Sequence, residues 1–426
     1  MAIGTADRLT AASAPAIAYN THIVNKLCWL LPVLTLASCS DDDGRPPSEI
    51  LISSQHHLFG LRSSADFETF PVQADDVVTS RGYLEMTNDS VYTITFAAGS
   101  SASDNYAIGN AGSLSIYNSG SGNEPTTVFS GAYSMVGNNQ VDNEADYFFA
   151  DRATTPGSPR VGLFFGTRAL NGQVELEGDW HMMSLHIIFD QFTVSPDNLG
   201  RAAFGDLSIT AGAPGGQRDI TGSGFQGAVN QLTTAMTFGG TVRNLLNGQG
   251  TGDGALNLTL EYTPDPQPVV DTRIIQGAAG TENVIFGLDE NTGDGEAGLI
   301  TMIRKFDAAT APVDPALVAG TFLVGGHTLL LNPNDSGSDA FVGTVTLTTQ
   351  GGFRLDSVGN AAESSYVGSY TLANDGGMTI EIEGTVESWF AAIDKSYNTF
   401  AFIDYFQETR LNNVPELSFG FGVRQN

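Results

Sequence analysis

Three stretches far apart in the chain end alike: Val161 to Arg168 reads VGLFFGTR, Ala297 to Arg304 reads AGLITMIR, and Leu417 to Arg424 reads LSFGFGVR. Each is a run of apolar, strand-forming residues closed by an arginine. One such run would say little. Three of them mark a structural unit used three times, because self-similarity along a chain is the signature of repeated supersecondary units.

Other positions support the division. Leu58-Phe59-Gly60, Leu176-Glu177-Gly178-Asp179-Trp180 and Val318-Ala319-Gly320-Thr321-Phe322 each open with an apolar residue, a glycine and a bulky start to a strand. A second glycine-led strand follows at Gly82, Gly205 and Gly343, and a third at Gly131 and Gly368 in the first and last units. Between them, period-two alternation in Tyr92, Ile94 and Phe96, in Leu256, Leu258 and Leu260, and in Met378, Ile380 and Ile382 gives each strand one apolar face. The 50 glycines fall with Asn, Asp and Ser between such runs, as in antiparallel hairpins. The expected fold is all-β, with tandem antiparallel meander units of about eight short strands each.

The order of these features resembles the lipocalin-like, or calycin, domains of bacterial lipoproteins. That resemblance implies three eight-stranded β-barrels, each closed by pairing its last strand with its first, with Phe59, Trp180 and Phe322 as aromatic plugs at equivalent positions. The alternative is a β-propeller in which each unit supplies two four-stranded blades. The units are expected at residues 56–170, 171–306 and 318–426. Segments 169–175 and 307–317 are expected linkers, the latter containing Pro312 and Pro315. On that division, residues 316–426 are expected to fold alone.

The N-terminal region reads as an address. Lys26 precedes an apolar stretch too short to span a bilayer, which ends in Leu36, Ala37, Ser38 and Cys39 and passes into Ser40 and three aspartates. It resembles the bacterial lipoprotein signal, with residues 1–39 as the signal peptide, Val24 as an alternative start and residues 40–55 as a tether. The resemblance implies that Cys39 carries diacylglycerol and a further acyl chain such as palmitate. Ser40 resembles the pattern sorted to the outer membrane. The membrane is then a partner through the lipid alone.

Net charge is −29, with 18 basic against 47 acidic residues, so nucleic acid is excluded as a partner. Both cysteines, Cys28 and Cys39, lie in the signal region, which leaves the remainder without disulfide, thiol nucleophile or thiolate metal site. No G-x-S-x-G elbow, H-E-x-x-H pair, phosphate-binding loop or dinucleotide fingerprint follows residue 39. His181 and His186, five apart on one strand, point to opposite faces and cannot chelate together. His56 and His57 lack the further convergent ligands that zinc requires.

The acidic run of Asp142, Glu144 and Asp146 with Asp151 reads as a solvated loop, while a glycosidase needs carboxylates opposed across a cleft. No cofactor is expected. Weak calcium candidates are the oxygen-rich turns at Asp253 and at Asn332 and Asn334, where the twelfth EF-hand position is Gly343 instead of glutamate. Trp389 and Phe390 have no counterparts in the other units and are the ligand-binding candidates. Together these features describe a non-enzymatic, lipid-anchored envelope protein that binds a small apolar ligand or an envelope protein, or serves a structural role. The alternative is a carbohydrate-active hydrolase using Asp and Glu carboxylates.

Overall fold

A computed structural model describes residues 50–425, apart from 66, 68–72, 110, 119–126, 137–139, 142–145, 153–159, 190–199, 213–215, 229–233, 247–250, 266–269, 291–294, 333–334, 360–362, 385–387 and 406–415. Three closed antiparallel barrels of eight strands each follow one another. Barrel 1 is built from β1 (Ser54–Ser64), β2 (Val77–Met86), β3 (Val91–Phe96), β4 (Ser101–Ile108), β5 (Ser113–Asn118), β6 (Thr127–Tyr133), β9 (Asp146–Arg152) and β10 (Arg160–Arg168). A small hairpin of β7 (Met135–Val136) and β8 (Gln140–Val141) interrupts it. Barrel 2 runs through β11 (Gly178–Ile188), β12 (Gly200–Ile209), β13 (Arg218–Ala228), β14 (Thr234–Leu246), β15 (Gly252–Pro264), β16 (Asp271–Ala278), β17 (Val284–Asp289) and β18 (Glu296–Arg304). Barrel 3 comprises β19 (Gly320–Asn332), β20 (Asp335–Leu347), β21 (Gly352–Val358), β22 (Glu363–Leu372), β23 (Gly377–Ile382), β24 (Ser388–Ile393), β25 (Thr399–Tyr405) and β26 (Glu416–Arg424). The barrels, and not propeller blades, are what the repeated strands build.

Closure brings each final arginine opposite the first strand of its barrel: Arg168 faces His56, Arg304 faces Trp180 and Arg424 faces Phe322. Arg304 lies 4.7 Å over the Trp180 ring and donates to the carbonyls of Glu175, Glu177 and Glu282. Arg424 lies 4.8 Å over Phe322 and donates to the carbonyls of Leu317, Val318, Ala319 and Tyr397. Each pair seals one end of its barrel, the cation on the aromatic face and its N–H groups on loop carbonyls.

The structure corrects the equivalence drawn for Phe59. Gly82, Gly205 and Gly343 sit opposite Leu58, Met182 and Val324, so the plug position of barrel 1 belongs to His56. Phe59 faces outward into the contact between barrels. The recurring glycine has a steric origin. A Cβ at Gly82, Gly205 or Gly343 would fall 2.1, 2.4 or 2.2 Å from a carbonyl oxygen of the adjoining strand, where only glycine permits so close an approach. Gly131 and Gly368, in contrast, lie on the sixth strand of barrel 1 and the fourth of barrel 3 and are not counterparts.

The barrels share a core. Phe59, Leu61, Leu163 and Phe165 of barrel 1, Met183, Leu185, Phe286 and Leu299 of barrel 2, and Leu323, Ile403, Phe419 and Phe421 of barrel 3 form one buried cluster. At its centre Phe165 and Phe286 are 4.9 Å apart, Phe286 and Phe421 4.8 Å, and Phe165 and Phe421 6.3 Å. This explains the unbroken apolar closing runs: those strands are buried on both faces, inward by their own barrel and outward by the other two. The segment before barrel 3 is docked as well. Asp314 caps a one-turn helix α1 (Pro315–Val318), Val313 and Val318 are buried, and Phe306 packs 5.2 Å from Tyr397.

Candidate functional site

On β24 and β25 of barrel 3, Trp389 pairs in register with Asp404, so the two side chains share a face. That face is the interior, where Trp389 joins Phe353, Phe402 and Ile380 in the barrel's own core. The indole stacks on Phe402 at 5.3 Å and meets Phe353 edge-on and Tyr366 tilted, each at 5.6 Å. The aromatic rings fill the lower interior, and Asp404 follows Phe400 and Phe402 at the next inward position toward the other end.

Asp404 is 2% exposed and Trp389 3%, yet among the described residues neither Asp404 Oδ1 nor Trp389 Nε1 has a hydrogen-bond partner. Burial, and then the charge of Glu416, pushes the Asp404 carboxyl well above the usual carboxylate range. Thr328 and Ser418 join hydroxyls at 2.8 Å on the strands beyond, and Ser357 is buried on β21. Buried polar groups are nearly always paired, and leaving one unpaired costs about 1–3 kcal/mol. Two buried side chains paired in register, one with an open donor and the other with an open acceptor, make this end of barrel 3 the candidate site.

Barrel 2 shows the contrast. Its interior also carries buried charge, but Arg273 is surrounded by Asp271, by Asp289 at 3.4 Å, by Glu296, and by His186 Nδ1 at 2.6 Å. Burial, then the charges of Arg273 and Arg201, holds His186 neutral, well below its ordinary range. The charges of this cluster compensate one another, and it reads as structure even though His186 Nε2 has no hydrogen-bond partner among the described residues.

The remaining histidines are also structural. His56 meets the Tyr133 hydroxyl at 2.7 Å inside barrel 1 and is lowered to about 3, chiefly by burial. His57 binds the Asp253 carbonyl at 2.9 Å, and His327 meets Ser63 Oγ at 3.1 Å between barrels 1 and 3. His181 faces outward, as its spacing from His186 requires, and lies between Asp206 at 2.9 Å and Asp375 of barrel 3 at 3.6 Å. Lys305 completes the ring at 2.9 Å from both aspartates.

Of the residues singled out by sequence, Trp389 lies in the site. Phe390, its neighbour, turns the other way and packs on Phe204 at 5.0 Å and His181 at 5.7 Å, between barrels 2 and 3. Asp253 accepts from Tyr83 at 2.8 Å and from the Ala255 amide, so both its oxygens are engaged where barrels 1 and 2 meet. Asn332 ends β19 opposite Asp335, and Asn334, Cys39 and residues 142–145 lie outside the described residues. Asp146 accepts from Thr399 of barrel 3 at 3.0 Å, and Asp151 faces Arg62 at 3.7 Å. Among the described residues no three His, Cys, Asp or Glu side chains converge to hold a metal.

Asp404 was not anticipated, although a signal existed: in Phe400-Ala401-Phe402-Ile403-Asp404 a lone acid takes the inward phase of an apolar strand.

No protein-family model matches the chain, and no curated protein matches it in sequence. Solved structures similar over most of its length include a variant of transferrin-binding protein B, a vaccine antigen, from Haemophilus parasuis, with 9% identity and a TM-score of 0.29 over 90% of this chain and 79% of that one. The isotype 1 transferrin-binding protein B of serogroup B Neisseria meningitidis aligns over the same shares at 9% identity and a TM-score of 0.27. Likenesses at these scores carry no information about a ligand.

Proposed function

We propose that this chain is a non-enzymatic, lipid-anchored envelope protein, tethered through Cys39, that binds a small ligand in the interior of barrel 3. One observation carries the binding half of this reading: Asp404 and Trp389, adjacent and buried, leave an acceptor and a donor open. The lipobox-like run at Leu36 to Cys39 supports the anchor. Fusion of three barrels through one core gives the binding barrel a rigid mount at the end of a tether.

The test is a melting screen of the purified protein against fractions of a small-molecule extract of the envelope and growth medium. At least one fraction should raise the melting temperature of the wild type and not that of Asp404→Leu, since a ligand that binds only the folded state stabilises it. No stabilising fraction, or one equally effective on the variant, refutes the reading.

A second reading rests on the same residues. A carboxyl kept protonated beside the charge of Glu416 is the pairing that glycoside hydrolysis uses. Release of reducing ends from a stabilising fraction, abolished in Asp404→Leu, would move the protein into that class.

A further inference from the structure

We propose that the interior of barrel 3 takes a neutral, hydroxyl-rich ligand, a sugar or polyol, with one ligand hydroxyl seated between Trp389 Nε1 and Asp404 Oδ1. This rests on the binding reading above and narrows it to a chemical class. Register partners on antiparallel strands hold their Cβ atoms about 4.5–5.5 Å apart, close enough for one small group to touch both side chains.

The two open atoms make unequal demands. An indole N–H only donates, while the raised Asp404 carboxyl donates or accepts when protonated and only accepts when ionised, so a bridging group that serves both states must accept from Trp389 and be able both to accept from and to donate to Asp404. A hydroxyl does both with one oxygen. An ammonium group donates and leaves the indole unanswered. A carboxylate or phosphate accepts only, and it would sit against Asp404 and Glu416 in a chain of net charge −29. An alkyl chain answers neither. A hydroxyl also tolerates either state of Asp404, because it can accept from the protonated acid as readily as it donates to the ionised one.

The surroundings suit the same class. The hydroxyls of Thr328, Ser418 and Ser357 both donate and accept, and Tyr366 and Phe353 present aromatic surface beside the indole. Polar groups that fix orientation beside apolar ring faces match the alternating C–H faces and hydroxyl edges of a sugar ring.

The test uses the detergent-solubilised full-length protein on an array of neutral mono- and oligosaccharides, with the strongest sugar, choline and 1-dodecanol then titrated by calorimetry. At least one neutral sugar should bind saturably. Its affinity should fall at least tenfold in Trp389→Phe, which keeps the ring and removes the N–H, and in Asp404→Leu. A thermal melt of each variant shows that the fold persists. Binding of choline or 1-dodecanol with a silent array overturns the hydroxyl assignment but leaves barrel 3 a binding barrel. Silence of every probe overturns both readings. Sugar binding untouched by either substitution puts the sugar elsewhere and overturns this site.

Discussion

Replacing Asp404 by asparagine should make the protein more stable at neutral pH. The residue is 2% exposed, its Oδ1 has no hydrogen-bond partner among the described residues, and Glu416 lies near enough for its charge to bear on it. An unpaired buried charge costs more than the about 1–3 kcal/mol of an unpaired neutral group, and asparagine, though itself unpaired, removes an excess of about that size because it keeps the shape without the charge. If residues 47–426 melt as one unit, an unfolding entropy of about 2.1 cal/mol/K per residue turns that gain into a rise of about 1–4 °C.

The pH dependence has a definite sign. A carboxyl raised in the folded state binds more protons there than in the unfolded chain, so stability falls as pH rises from the unfolded value near 3.9 through the folded one. The advantage of Asp404→Asn should be greatest at pH 7 and vanish as the pH approaches about 4. Scanning calorimetry of both proteins across that range measures it. A variant less stable than wild type at pH 7, or a difference independent of pH, would show that Asp404 has a structural partner and is not held open.

Three further outcomes are expected. The fragment 316–426 should not fold as a soluble monomer: Leu323, Ile403, Phe419, Phe421 and Val423 would lose their cover, at about 1.5–3 kcal/mol each, as much as the whole stability of an ordinary domain; a cooperative melt of the isolated fragment would show the shared core to be dispensable. In His181, burial is outweighed by hydrogen bonds to Asp206 and Asp375, so its pKa is raised and its stabilisation, complete below about pH 6.5, should fade at higher pH; urea midpoints of His181→Gln should follow a flatter pH profile than wild type, and parallel profiles refute the assignment. Cys39→Ala should abolish both palmitate labelling and membrane attachment in cell fractions, and label in the variant would remove the anchor from the proposal.

The run of short antiparallel strands in three units was legible because period-two alternation and glycine punctuation act locally, whereas closure of each unit into a barrel was implied only by the resemblance to lipocalin-like domains. Val161 to Phe165 also announced its two-sided burial by being apolar at nearly every position, but a sequence cannot say which surface covers the second face; that Phe165 meets Phe286 and Phe421 is a long-range fact. The same limit misplaced Phe59. Its local context matches the other openings, and only the pairing of β1 with β2 and β10 shows that His56 occupies the plug position. Trp389 was conspicuous by lacking a counterpart. Asp404 was hidden by the abundance of acids, since one carboxylate among 47 acidic residues draws notice only once its neighbours at every second position are known to point inward.

The meeting of Phe165, Phe286 and Phe421 also limits how such a chain can evolve. Linear repeat proteins lengthen or shorten freely, because each repeat touches only its neighbours along one axis. Here every barrel turns its seam, the place where first and last strands join, toward the other two. Loss of one copy would bare the seams of both survivors. Loss of a copy is therefore costly to this architecture, while substitutions inside a single barrel leave the shared seams intact.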